Sequence, residues 1–193
     1  MAKNSLERDV FFPHLSPQQN EQLSLYKAEL LRWNQRTNLI GRSTTESFDT
    51  DHLMNSLEIV PHLKGNLPLF DIGTGAGLPG IPIAIALPTR EIYLTEVDKK
   101  KLAFLHYIVA KLHLKNAHVI EITHQFSFPD PCDIVSRAYA PVERILTWTK
   151  QHTPQAETFY LLIGKETNEN LSFLPSPTIL PLTRGQLLIF QKE

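Results

Sequence analysis

Phe70-Asp71-Ile72-Gly73-Thr74-Gly75-Ala76-Gly77-Leu78-Pro79-Gly80-Ile81-Pro82 is the stretch that decides how this 193-residue chain folds. The apolar pair Leu69-Phe70 runs into an acid and then into Gly73, Gly75, Gly77 and Gly80. A buried strand that ends in a loop passing close to a ligand reads this way. Glycine permits positive φ and lacks the Cβ that would hold a ligand off. Ile81, Ile83, Ile85 and Leu87 then predict a helix whose N-terminus faces the same ligand. Dinucleotide-binding loops read G-x-G-x-x-G. Here the order is D-x-G-x-G-x-G, with a carboxylate where a phosphate would otherwise come close. A carboxylate repels pyrophosphate and accepts hydrogen bonds from an ammonium or hydroxyl group. The pattern therefore points to a nucleoside ligand without phosphate and disfavours a nicotinamide oxidoreductase.

Outward from that turn, strand and helix signals alternate. Ser16-Pro17 is a helix start, cap then first-turn proline. Leu23, Tyr26, Leu30 and Trp33 follow at helical spacing, so Trp33 is expected in the core rather than stacked on a base. A second helix is predicted from about Ser47 to Val60, closed by Pro61. Strands are predicted at 67–71, 91–96, 117–122, 133–136 and 159–163. Helices are predicted between them at about 80–87, 99–112 and 141–150. Thr178–Leu182 and Gln186–Phe190 flank Thr183-Arg184-Gly185 as a terminal hairpin. Alternating β and α argues for an open, mostly parallel sheet wrapped by helices, with the hairpin as an antiparallel edge.

The bulk numbers set bounds. The length suits one ordinary domain with a large enough core. No apolar run approaches a membrane span, and Met1–Glu7 lacks the apolar segment of a secretory signal. One cysteine, Cys132, cannot form an internal disulfide, so a cytoplasmic location is expected. The net charge is −1, so nucleic acid binding would need a local basic face. The eight histidines show no metal-ligand spacing, and no metal is assigned.

In open α/β sheets the ligand lies at the carboxyl ends of the strands. After the first strand come Asp71, Gly73, Gly75, Gly77 and Leu78. Glu96 follows the second strand, about twenty residues on, where nucleoside-binding sheets place the acid for ribose hydroxyls. Asp98 is the alternative, and strand-end position favours Glu96. His124 and Gln125 follow the third strand and suit an adenine edge, or read simply as turn residues. Ser136 and Arg137 follow the fourth, and Arg137 alone reads equally as half of a surface ion pair. Lys99-Lys100-Lys101 reads first as a solvated helix start.

The D-x-G-x-G-x-G turn resembles the first motif of S-adenosylmethionine-dependent methyltransferases. With Leu30-Leu31-Arg32-Trp33-Asn34-Gln35-Arg36-Thr37-Asn38-Leu39-Ile40, His52 with Ser56, and Ser136-Arg137-Ala138-Tyr139-Ala140, all in one order, the chain resembles the 16S ribosomal RNA (guanine-N7)-methyltransferase G family, also called glucose-inhibited division protein B. The resemblance runs from about residue 18 to the terminal hairpin. It implies a seven-stranded methyltransferase (Rossmann-like) fold, with residues 1–64 as a helical cap on a 65–193 core in one compact unit. It implies S-adenosyl-L-methionine as cofactor and N7 of a guanosine in small-subunit rRNA as methyl acceptor. Carried over by position, Gly73, Leu78, His124, Gln125 and Arg137 contact the cofactor and Glu96 faces its ribose. Ser136 and Arg137 orient the reactants, and no residue is assigned as acid or base. Arg32, Arg36, Arg42 and Lys165 are candidates for RNA, with 16S rRNA or the small subunit as partner and a monomer favoured.

Some positions depart from the family pattern. Glu96 stands for aspartate, Asp51-His52 for Arg-His, and His124-Gln125-Phe126 for a more acidic segment. Lys165 is displaced by two from the family's Lys-Gly, here Ile163-Gly164. Two other readings stay open at this level. One is a methyltransferase for another substrate, separated by mapping the methylated base. The other is a ribosome-assembly binding protein, which need not bind the cofactor at all.

Overall fold

The computed structural model describes residues 12–41, 44–137, 140–165 and 171–192. Arg42, Ala138 and Tyr139 lie outside these residues. The long first helix, α1 (Pro17–Thr37), starts as its sequence requires. Ser16 Oγ accepts from the Gln19 amide at 3.2 Å, and Gln19 Oε1 accepts from the Ser16 amide at 2.8 Å. This reciprocal pair satisfies two otherwise orphaned donors. Asn38 ends the helix in the left-handed conformation.

The predicted second helix is irregular. Asp49–Met54 forms a π-helical turn that runs into the short α2 (Asn55–Leu57), and a 3₁₀ turn covers Val60–His62. Hydroxyl groups compete for carbonyls there. Ser56 Oγ donates to His52 O at 2.7 Å and Thr50 Oγ1 to Ser47 O at 3.1 Å. Such competition loosens the regular ladder, and π-turns concentrate at functional sites.

The remaining elements alternate: β1 (Leu69–Ile72), α3 (Gly80–Ala86), β2 (Ile92–Glu96), α4 (Lys99–Lys111), β3 (Ala117–Glu121), β4 (Cys132–Arg137), α5 (Val142–His152), β5 (Ala156–Ile163), β6 (Thr178–Pro181) and β7 (Gln186–Gln191). The seven strands stand in the order β3-β2-β1-β4-β5-β7-β6. The first five pair in parallel, and β7 runs antiparallel between β5 and β6. Strand order reverses between β1 and β4, which opens a crevice at their carboxyl ends.

Side chains alternate across the sheet. Leu69 joins the layer of α1, α3 and α4 with Leu23, Tyr26, Leu30, Ile81 and Leu105. Phe70 and Ile72 join the layer of α5 with Ile134, Val142, Ile145 and Phe159. Helix α1 is bound to the sheet layer by its glutamines as well as its apolar face. Gln19 Nε2 donates to Ile85 O at 2.7 Å, and Gln22 Nε2 to Leu112 O at 2.8 Å. These bonds satisfy carbonyls at the ends of α3 and α4, groups that a helix leaves open. Trp33 is half-buried beside Phe104 and Tyr107, with centroids 5.5 and 5.3 Å away, as its helical spacing predicts.

Candidate active site

The glycine turn after β1 is fastened to the end of β2. Thr74 N donates to Thr95 O at 3.0 Å, and Gly75 N to Glu96 Oε2 at 3.2 Å. Glu96 also accepts at Oε1 from the Val97 amide at 2.7 Å and the Asp98 amide at 3.1 Å. A carboxylate offers about four acceptor positions. Three backbone amides therefore leave Glu96 room for a ligand hydroxyl. Asp98 is committed elsewhere, since its Oδ1 caps α4 by accepting from the Lys100 and Lys101 amides. Those two hydrogen bonds hold the exposed Asp98 carboxyl below its ordinary value. Lys99 pairs with Glu121, and Lys101 Nζ lies 3.6 Å from Glu96 Oε2.

The glycines divide into two kinds. Gly75 has φ +61°, and a Cβ there would meet only Gly73 O at 3.9 Å, so its outer side is open. Gly77 and Gly80 instead make room for packing. A Cβ on Gly77 would lie 2.4 Å from Ile81 Cγ1, and one on Gly80 would lie 2.3 Å from Leu94 Cδ2. Gly77 therefore lets the turn pack on α3 and α4, and Gly80 lets α3 pack on β2 and β1. Leu78 is buried as well.

Asp71 also departs from the sequence reading. It lies on the Leu69 face of β1, beneath the turn, and is wholly buried. Its Oδ2 accepts from Thr74 Oγ1 at 2.5 Å and from Gly80 N at 2.8 Å. The first amide of α3 is thus met by Asp71, not by a ligand. Oδ1 has no partner. Burial pushes the carboxyl up to about 6, opposed by the two hydrogen bonds and by the Arg137 charge. Tyr26 OH donates to Ala76 O at 2.9 Å, which adds a fastening from α1. Asp71 is a brace that shapes the turn from below.

Across the crevice, Ser136 is buried and its Oγ donates to Ile72 O at 3.0 Å, so it braces β1 rather than facing open space. Arg137 reaches from the end of β4 to the π-turn. Its Nη1 donates to His52 Nδ1 at 3.0 Å and approaches Asp51 O at 3.4 Å. Because Nδ1 accepts, the imidazole proton sits on Nε2. Burial first, and Arg137 second, lower His52 to about 4, so the ring is neutral at pH 7. His124 and Gln125 are exposed in the turn after β3.

The RNA candidates among the described residues lie on α1 and past the end of β5. Arg32 and Arg36 line a cleft of about 440 Å³ on α1 with Trp33, Gln35 and Thr37. Arg32 is engaged by Glu29 at 2.5 Å and by Tyr107 OH at 2.9 Å. Lys165 is exposed past the end of β5. Sequence reasoning passed over two residues at the mouth. Val97 is 64% exposed directly after Glu96. An apolar residue following the strand-end acid was the available signal. Arg184, read only as part of a hairpin turn, stands beside Asp51, with Nε 2.8 Å from Oδ1.

This sheet order, with a glycine turn fastened to an acid on the neighbouring strand, is the fold of S-adenosylmethionine-dependent methyltransferases. A solved SAM-dependent methyltransferase from Aquifex aeolicus superposes with TM-score 0.53 at 14% identity, covering 86% of this chain and 97% of that one. A mutant of MtNAS in complex with S-adenosylmethionine superposes with TM-score 0.56 at 11% identity, covering 91% of this chain and 76% of that one. The chain belongs to the rRNA small subunit methyltransferase G (GidB) family, whose model matches residues 19–180. Proteins named ribosomal RNA small subunit methyltransferase G from Pseudomonas paraeruginosa and Pseudomonas syringae pv. syringae are 34% and 36% identical to it. The matches cover 83% and 84% of this chain, and 76% of each relative.

Proposed function

We propose that this chain transfers a methyl group from S-adenosylmethionine to N7 of a guanosine in 16S rRNA of the small ribosomal subunit, with residues 1–64 as a cap on the 65–193 core. The observation that carries the reading is the open-sided Gly75 turn fastened to Glu96, in a chain that belongs to this family. The residues suit the cofactor. Gly75 leaves room for its close approach, Gly73 gives the turn its positive φ of +66°, and Glu96 retains acceptor capacity for a ribose hydroxyl. Exposed Val97 offers an apolar surface to the base, with His124 and Gln125 beside its edge. When bound, S-adenosylmethionine supplies an electrophilic sulfonium methyl group.

Guanine N7 already holds an in-plane lone pair, so no proton must leave before attack. The protein's task is orientation, which can lower a barrier by about 7–11 kcal/mol. Arg137 fits that task. It is anchored by a neutral imidazole on the cap and placed at the end of β4, joining the two walls of the crevice. Arg137→Ala is expected to lower methyl transfer by at least tenfold in a single-turnover assay. Unchanged turnover together with unchanged cofactor affinity would remove this role.

Glu96→Gln is expected to weaken S-adenosylhomocysteine binding by about 10–100-fold in calorimetry, because hydrogen bonds to a charged acceptor contribute about 1.5–3 kcal/mol. An affinity equal to wild type would mean that Glu96 only fastens the turn. The function itself is tested by mass mapping of N7-methylguanosine in small-subunit rRNA from cells with and without the gene. An identical pattern in both would refute it.

A further inference from the structure

The terminal hairpin brings an arginine to the ligand edge of the sheet. Register pairs Arg137 with Leu162, and Ile163 with Gln186. The β6–β7 turn therefore lies past the carboxyl end of β5, on the same edge as Arg137. Its placement is tightly determined. Gly185 has φ +83°, and a Cβ there would fall 2.2 Å from Ile163 O. Asn55 Nδ2 donates to Arg184 O at 2.8 Å, and Glu58 Oε2 accepts from Thr183 N at 2.9 Å. Glu58 also accepts from Thr183 Oγ1. These contacts tie the turn to the segment that carries His52.

Arg184 itself is 60% exposed, and Asp51 is 17% exposed. Asp51 is oriented in turn, since Ser47 Oγ donates to its Oδ2 at 2.6 Å. The Ser47 hydrogen bond, with Arg184 assisting, holds the Asp51 carboxyl below its ordinary value. Asp51 grips only Nε of Arg184. The terminal guanidinium nitrogens have no partner among the described residues. An ion pair this exposed contributes little to stability. What it does is fix the direction of a guanidinium whose two outer nitrogens stay available, the geometry that suits a phosphate.

We propose that Arg184 is a phosphate-binding residue for the RNA substrate, aimed by Asp51 from the cap. Asp51 thereby acts through Arg184, as a positioning residue. The inference rests on the RNA reading above. Arg184 was not among the cations that the sequence nominated. It stands on the same edge of the sheet as Arg137, on the β4–β5 side, whereas Arg32 and Arg36 lie on α1.

The test is methylation of purified small ribosomal subunits by the full chain over a range of salt concentrations. Arg184→Ala is expected to raise KM for the subunit about three- to tenfold. It should also flatten the dependence of log(1/KM) on log salt by about one contact. Affinity for S-adenosylhomocysteine and kcat should stay within twofold. The exchange Asp51→Arg with Arg184→Asp restores the clasp but moves the cation onto the cap. Wild-type KM and salt slope in the exchange variant would show a clasp only, and overturn the proposal. So would an Arg184→Ala protein with unaltered KM and slope. Absence of methylation by the wild-type chain would instead refute the RNA reading, and this inference with it.

Discussion

An Asp133→Ala protein is expected to be about 3–5 kcal/mol less stable than the parent. Arg90 and Asp133 form a pair with side chains only 1% and 3% exposed, Nη2 to Oδ2 at 2.5 Å. Arg90 Nε also donates to Leu67 O at 2.9 Å, and Asp133 Oδ1 accepts from the Thr158 amide at 3.2 Å. The pair binds the start of β4 to the loop before β2. Burial raises the Asp133 carboxyl above its ordinary value, and the Arg90 charge opposes that. Removing the carboxylate leaves a guanidinium buried without its counter-charge, and that is the expensive half of the change. A urea melt measures the loss. Replacing both residues with apolar ones of similar volume, Arg90→Met with Asp133→Leu, should recover most of it. Cofactor affinity should be unchanged in the double variant, because the pair lies at the edge of the sheet opposite the crevice. A single variant as stable as the parent would show that the site relaxes or admits water.

Asp71→Ala is expected to lower kcat/KM for methyl transfer on the order of 10²-fold, the scale of a misplacement of about 1 Å. The substitution frees Thr74 and the first amide of α3 at once, and the turn loses its shape from below. Stability behaves differently. Asp71 titrates near 6 in the folded chain against 3.8 unfolded. A raised carboxyl pKa means that the stabilising contribution is present below about 4 and is lost as pH rises through 6. The change is on the order of 3 kcal/mol, a rise of about two units at about 1.4 kcal/mol each. His52 has the opposite sign. Its lowered pKa makes stability fall as pH drops from 6.5 toward 4. The stability of Asp71→Asn minus that of wild type, measured at pH 4 and again at pH 7, isolates Asp71. That difference should rise with pH. A flat difference would show that the carboxylate is not buried in solution as it is in this structure.

Much of the architecture was readable from local pattern. The strands expected at 67–71, 91–96 and 117–122 lie within a residue or two of those observed, because alternation and helical spacing are short-range properties. The capped start of α1 at Ser16-Pro17 was equally local. The segment at 47–60 was less so. Its apolar spacing predicts an ordinary helix, whereas hydroxyl groups compete for carbonyls in the π-turn and Arg137 reaches it from β4. The turn after β1 and the acid after β2 were also legible, since both are marked by residue type at a strand end.

The sequence by itself settled the order of the strands and of the helices outside the 47–60 segment, the glycine turn and its acid partner, and hence the family resemblance. Only the tertiary structure decided that Asp71 faces inward and braces the turn, while Glu96 keeps an acceptor free. Strand alternation puts Asp71 on the α3 face, where Gly80 and Thr74 satisfy it. Only the tertiary structure joined Arg184 to Asp51, Arg137 to His52 and Arg90 to Asp133. Each partner is set by crossovers and sheet order across long stretches of chain. Periodicity can say which face a residue occupies, but it carries no information about what the rest of the chain will bring against that face.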